Sequence, residues 1–223
     1  MNELIFFLQV FAIISAVVVG FKMGKEALIA IISVLCIFGN LFVLKQITMF
    51  GLHVVATDAF PVGAIIGLNL LQEFYSEKLV KKAISICFFC MIFYIIISQI
   101  HLIYIPSTFD VSSGHYHALL KNMPRITLTS IFVTLSIMQI NRILYGFLQR
   151  KFQNKYFLTR FISTIFISQL LDSTLFAFIA LYGLIPNLLH IIIISTIIKT
   201  FTAILAVPAI AYIKARSKKT TKD

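Results

Sequence analysis

Asp172, Lys199 and Glu73 stand inside long apolar stretches of this 223-residue chain, and any chemistry must be read first from residues so placed. A charge at the centre of a bilayer costs about 2.5 kcal/mol or more, so such residues face a bundle interior, where they pair with one another or hold a polar ligand or ion. Asp172 lies about halfway along the stretch 158–183, Lys199 about halfway along 188–213, and Glu73 toward the lysine-rich end of 53–76. Each has polar company at helical spacing. Asn69, Gln72 and Glu73 fall at i, i+3 and i+4, and Ser168, Gln169, Asp172 and Phe176 at offsets of zero, one, four and eight, so most of each set shares a face. Gln139 and Asn141 mark the inner part of the fifth stretch, Asn40 and Lys45 lie in the second, and Arg125 stands at the outer edge of the fifth. These groups are expected to face a common interior. Asp172 and Lys199 sit on consecutive antiparallel segments, reach the same depth and can pair. The plainer reading is that amides and an ion pair merely hold helices together, and that Arg125 is an interfacial anchor. Pro61 and Pro208 allow kinks near the same interior.

The elements that must position these groups follow from composition. The chain is 60% hydrophobic with mean hydropathy +0.99 and only 12% charged, against about 25% for a soluble domain. The apolar residues come in blocks, roughly 4–21, 27–50, 53–76, 83–105, 125–149, 158–183 and 188–213. Blocks of 18 or more residues are long enough to cross a membrane, and in lipid such segments must be helices because no backbone group can be left unpaired. The expected fold class is therefore all-α: a polytopic transmembrane helical bundle of seven spans, a six-helix core with an extra N-terminal helix over residues 1–24. Residues 4–21 lack a basic start and a small-residue cleavage site, which favours a retained helix over a signal peptide.

The net charge of +11 forms no groove-sized patch. Lys22 and Lys25 follow the first block, Lys78, Lys81 and Lys82 the third, Arg142, Arg150, Lys151, Lys155 and Arg160 end or follow the fifth, and Lys214, Arg216, Lys218, Lys219 and Lys222 follow the seventh. If all seven blocks span, these 15 of 19 basic residues share one side, which places the N-terminus outside and the C-terminus in the cytoplasm. The tail 214–223 is expected to lie against anionic headgroups. The loop 106–124 carries Asp110, Ser112, Ser113, Gly114, His115 and His117, read as solvated loop rather than helix; a metal on Asp110 and the two histidines is weakly supported.

Several function classes find no motif. The segment Gly20-Phe-Lys-Met-Gly-Lys25 is one residue short of a phosphate-binding loop and lacks a Ser or Thr after the lysine. No H-E-x-x-H or G-x-S-x-G occurs, so an enzyme is not expected. Cys36, Cys87 and Cys90 all lie in apolar blocks without zinc spacing. No metal or other cofactor is expected.

At these same residues the chain resembles the VUT family of queuosine-precursor transporters, from about Asn40 to Tyr212. Asn40-Leu-Phe-Val-Leu-Lys45 is similar to the family's N-x-x-x-x-K. Phe60-Pro61 leads into Asn69-Leu-Leu-Gln-Glu73-Phe-Tyr-Ser76, similar to D-x-x-x-E-x-Y-G, and Arg125-Ile-Thr-Leu-Thr-Ser130 resembles an R-x-x-x-x-S helix opening. The segment Ser168-Gln169-Leu-Leu-Asp172-Ser-Thr-Leu-Phe176 is the nearest match, and Lys199 with Pro208 fits the last helix. The chain departs at Asn69 and Asn141, where the family commonly has Asp, and at Ser76, where it has Gly.

The resemblance implies a single transporter domain, with residues 25–213 as the family-like core, in the inner (cytoplasmic) membrane. It implies import of a 7-deazaguanine such as preQ0, preQ1 or queuine for tRNA modification, with no direct nucleic-acid contact; a homodimer is compatible with it. A guanine-like edge presents an N–H beside an amino group, and one carboxylate accepts both. Asp172 or Glu73 suits that role. Lys199, Gln169, Asn69 or Arg125 would donate to the carbonyl edge, Asn40 and Asn141 would complete the polar lining, and the ring would stack on one of the 30 Phe and Tyr side chains. The alternative is a substrate-binding membrane subunit of an ATP-driven, ECF-type vitamin or nucleobase importer. A membrane enzyme or assembly subunit lacks, respectively, a catalytic motif and a reason for charges at mid-depth.

Overall fold

The computed structural model describes residues 1–43, 45–121, 123–153, 155–181 and 188–220. The chain is a helical membrane bundle. Helix α1 (Asn2–Met23) turns at Gly24, whose φ of 114° favours glycine, directly into α2 (Lys25–Leu41). A two-stranded hairpin follows, β1 (Gln46–Met49) and β2 (Leu52–Val55), and then α3 (Ala59–Phe74), α4 (Glu77–Ile103), α5 (Ser113–Lys121), α6 (Met123–Lys151), α7 (Phe157–Phe176) and α8 (Leu188–Thr220). Ser76 starts α4 by accepting the Leu79 N–H at 3.2 Å, and α7 runs into one π-helical turn, Ala177–Leu181.

Among the described residues, five helices are long and apolar enough to cross a membrane, within α1, α4, α6, α7 and α8. The second and third blocks behave differently from the sequence expectation. Helix α2 stops at Leu41 instead of continuing to residue 50, and α3 has only 16 residues. Between them the chain pairs as strands, with Met49 opposite Leu52 across a Phe50–Gly51 turn. Both turn residues have positive φ, 52° and 76°, as a two-residue hairpin turn requires. Lys45 is accordingly exposed at the hairpin base and not on a helix. Backbone groups of a hairpin's outer edges need partners from elsewhere in the protein or from water. Helix α1 supplies such partners: Asn2 Nδ2 donates to the Thr48 carbonyl at 2.8 Å, Gln9 Nε2 to the Ala56 carbonyl at 2.9 Å, and Glu3 Oε1 accepts the Phe50 N–H at 3.1 Å.

A second difference lies in the long loop. Ser113–Lys121 is helical, and the Asp110 carboxylate accepts the N–H groups of Ser112 at 2.7 Å and Ser113 at 3.1 Å at its start.

Helix α3 is the centre of the bundle, buried from Val62 to Gln72. Gly63 and Gly67, spaced as small-x-x-x-small, let α1 and α2 approach its backbone. A Cβ on Gly63 would sit 2.4 Å from Ile13 Cγ2, and one on Gly67 2.7 Å from Ile32 Cγ1. Gly63→Val is therefore expected to destabilise by about 1–3 kcal/mol through overpacking. The check is a lowered unfolding midpoint in detergent; an unchanged midpoint would mean that α1 is not held against α3 as described.

Aromatic contacts define one end of the bundle. Phe21 packs edge-on to Phe74 at 5.0 Å, Phe74 meets Phe157 at 6.4 Å, and the Lys22 ammonium lies 5.6 Å from the Tyr212 ring. This is the basic end; the hairpin turn lies at the other.

Candidate functional site

Two charged clusters are built into the interior, joined by a belt of amides and hydroxyls. The first gathers residues from α3, α7 and α8. Lys199 is buried and its Nζ donates to Asp172 Oδ2, as the antiparallel arrangement of their segments predicts; it also donates to Ser173 Oγ at 3.3 Å. Ser173 donates to Ser195 Oγ at 3.3 Å, and Ser195 donates to Asp58 Oδ1 at 3.1 Å. Asp58 Oδ1 is also 3.8 Å from Lys199 Nζ. Two carboxylates thus face one ammonium, and Ser173 and Ser195 close a ring between Lys199 and Asp58. Asp58 occupies the N-cap position of α3 but makes no side-chain cap bond; its carboxylate is turned to Lys199 instead. The positive end of the α3 dipole favours an acid at that point.

The second cluster lies at the basic end. Glu73 Oε2 accepts the Tyr145 hydroxyl at 2.9 Å, Glu73 Oε1 accepts Arg160 Nη2 at 3.2 Å, and Lys214 Nζ reaches Oε1 at 2.5 Å. The Arg160 and Glu73 side chains are 0% and 3% exposed. Lys214 lies over two rings, 5.1 Å from the Phe74 centroid and 4.6 Å from that of Phe157, and the Arg160 guanidinium lies 5.5 Å from the Tyr145 ring. Asp58 and Glu73 are 15 residues apart on α3, as are Lys199 and Lys214 on α8, so the clusters are separated by about 22 Å at 1.5 Å per residue.

Between them Asn141 Nδ2 donates to Asn69 Oδ1 at 2.6 Å, Asn69 Nδ2 to Thr164 Oγ1 at 3.2 Å, and Ser168 Oγ to Asn141 Oδ1 at 3.0 Å. All four side chains are fully buried. Gln169, one residue from Ser168, is equally buried, yet among the described residues neither its carbonyl oxygen nor its amino group has a hydrogen-bond partner. A buried primary amide left wholly unpaired costs roughly 1–3 kcal/mol.

The sequence-predicted residues are thus divided. Asp172 and Lys199 share one cluster, Asn69, Asn141 and Gln169 lie in or beside the belt, and Glu73 is at the basic end. Asn40 makes a local bond, Nδ2 to the Cys36 carbonyl at 2.9 Å. Gln139 is exposed and accepts Arg142 Nε at 3.0 Å, so it does not face the interior expected for it. Arg125 is on α6, with its side chain outside the described residues. Asp58, Arg160, Lys214, Tyr145 and Ser195 went unrecognised. Asp58 lies near the start of the third block, where the charge-poor connection 51–59 reads as an outer loop, and Arg160 and Lys214 read as topology charges; the usable signal was that each acid in the blocks demands a base within reach.

A family model described as putative vitamin uptake transporter matches residues 55–213, a stretch that contains the first cluster, the belt and all of the second cluster but Lys214. A protein of Bacillus subtilis (strain 168) named probable queuosine precursor transporter is 26% identical over 206 residues, covering 89% of each chain. No solved structure matches.

Proposed function

Since the chain belongs to the vitamin uptake transporter (VUT) family and is a multi-pass transporter of the inner membrane and not an enzyme, we propose that it imports queuosine precursors, 7-deazaguanines such as preQ0, preQ1 or queuine, for tRNA modification. The observation that carries this reading is the buried acid beside an unpaired amide: Asp172 on the α7 turn that follows Gln169. Asp172 has the geometry to accept the adjacent N–H and amino groups of a guanine-like edge, and Gln169 supplies both a donor and an acceptor for the rest of the ring. Glu73 has three donors already and lies too far from Asp172 for one bicyclic base to touch both, so we assign it to closing the basic end.

In this reading the N-terminus is outside and the C-terminus cytoplasmic. Helices α2 and α3 span about 25 Å each and become the second and third crossings when β1 and β2 carry them onward by about 13 Å per strand. The hairpin then covers the outer mouth, and a broken helix start near a central site is the arrangement by which transporters present helix ends to substrate. Residues 25–213 are the family-like core, to which α1 adds the packing surface of Phe6, Val10, Ile13 and Val17.

The test is made in cells that cannot synthesise queuosine and lack an importer of their own. Supplied with a 7-deazaguanine precursor, cells expressing the chain should regain queuosine in tRNA, measured by nucleoside mass spectrometry. Failure with every 7-deazaguanine would overturn the proposal. Gln169→Leu supplies a finer check. Because the amide is unpaired without ligand, folded protein should be undiminished, whereas precursor affinity should fall roughly tenfold, the worth of a lost hydrogen bond to a ligand. Equal affinity in a binding titration would remove Gln169 from the site.

A further inference from the structure

The assignment of Asp172 to the ligand raises a problem that the structure itself answers. In the free protein Asp172 is the hydrogen-bonded partner of Lys199. A ligand that takes both carboxylate oxygens must displace the lysine, and a buried ammonium left without a partner is penalised by several kcal/mol. We propose that Asp58 is a positioning residue for that step: the second carboxylate, to which Lys199 swings when a ligand's adjacent N–H and amino groups occupy Asp172. The proposal rests on the reading of Asp172 given above.

Three observations support it. Lys199 Nζ is already 3.8 Å from Asp58 Oδ1, and a move of about 1 Å at the end of a four-carbon stem brings it to hydrogen-bond distance. Ser173 and Ser195 form a chain from Lys199 to Asp58, so the lysine stays within reach of a hydroxyl as it passes from Asp172 to Asp58. The Asp58 carboxylate is not consumed by helix capping and its side chain is 12% exposed, leaving it room to accept a new donor. No proton changes hands: Lys199 remains an ammonium throughout, and the cluster keeps two acids and one base before and after. A ligand that binds Asp172 less completely, through one donor instead of two, would leave Lys199 where it is, so the switch also discriminates in favour of a two-donor edge.

The experiment measures preQ0 binding to the purified full chain by titration, each value referred to folded protein. Asp58→Asn should raise Kd roughly tenfold or more, because the displaced lysine then has no second acid. Asp58→Asn combined with Lys199→Met removes the stranded ammonium and should return Kd to within roughly threefold of the starting protein. A residue with only a structural part could not produce that recovery. Should Asp58→Asn fail to accumulate, Ser195→Ala, which removes only the hydroxyl that holds Asp58 in place, should raise Kd several-fold. The proposal is overturned if Asp58→Asn or Ser195→Ala binds as tightly as the starting protein while Asp172→Asn does not, or if the double variant binds no better than Asp58→Asn. Undiminished binding by Asp172→Asn would instead remove the underlying assignment of Asp172, and the proposal with it.

Discussion

Asp172→Asn is expected to reduce precursor uptake roughly 100-fold per folded molecule, the loss of about 2.7 kcal/mol that follows when two charge-assisted hydrogen bonds become at best one neutral bond. The substitution keeps the size of the side chain but not its charge. In most buried ion pairs removal of one partner strands the other and the protein unfolds. Here Lys199 has Asp58 at 3.8 Å and the Ser173 hydroxyl at 3.3 Å, so folded protein should still be recovered. Function and stability therefore separate at this residue. Uptake of labelled precursor, normalised to monodisperse protein extracted from the membrane, reads the first, and thermal unfolding reads the second. Asp172→Asn protein that transports at the normal rate would refute the site.

Glu73→Gln should show the opposite pattern. Glu73 is the acid that holds Arg160 and Lys214, both drawn in from the basic end, and it accepts the Tyr145 hydroxyl as well. Its neutralisation takes the counter-charge from a fully buried guanidinium and a half-buried ammonium. Loss of about 3–5 kcal/mol is expected, which for a chain of this size lowers the unfolding midpoint by roughly 10 °C. Lys214→Met in the same protein removes one of the two stranded cations and should recover part of the loss. Those Glu73→Gln molecules that do fold should bind precursor within about threefold of the normal Kd, since no ligand contact has been removed. A large change in Kd with an unchanged midpoint would make Glu73 a ligand acid after all.

The pairing of Asp172 with Lys199 was legible because it needs only two antiparallel helices and a count along each. The grouping of Asn69, Asn141 and Ser168 was legible in part: helical spacing places each on an inward face, but which face meets which depends on packing. Gln139 shows the limit. It is two residues from Asn141 and thus about 200° around the helix from it, so only one of them can face inward. The hairpin was missed because hydrophobicity alone cannot tell a short buried strand from helix. The β-branched residues Val43, Ile47, Thr48, Val54 and Val55 around Phe50–Gly51 carried the signal for it. Missing the hairpin hid Asp58, which looks like loop when the chain is read as two long helices and stands at a helix start when it is not. Arg160 and Lys214 were concealed by their other use. A basic residue near a helix end marks topology, and nothing in its spacing says that its side chain also reaches inward to an acid on another helix.

The central claim is that this one chain moves a 7-deazaguanine through a site built on Asp172. Purified protein reconstituted alone into liposomes and given labelled precursor tests it most directly. Saturable uptake that is absent from Asp172→Asn liposomes is the expected result. Contradiction would come from uptake that appears only when a separate ATP-driven subunit is added, or from Asp172→Asn liposomes that fill as fast as the unaltered ones.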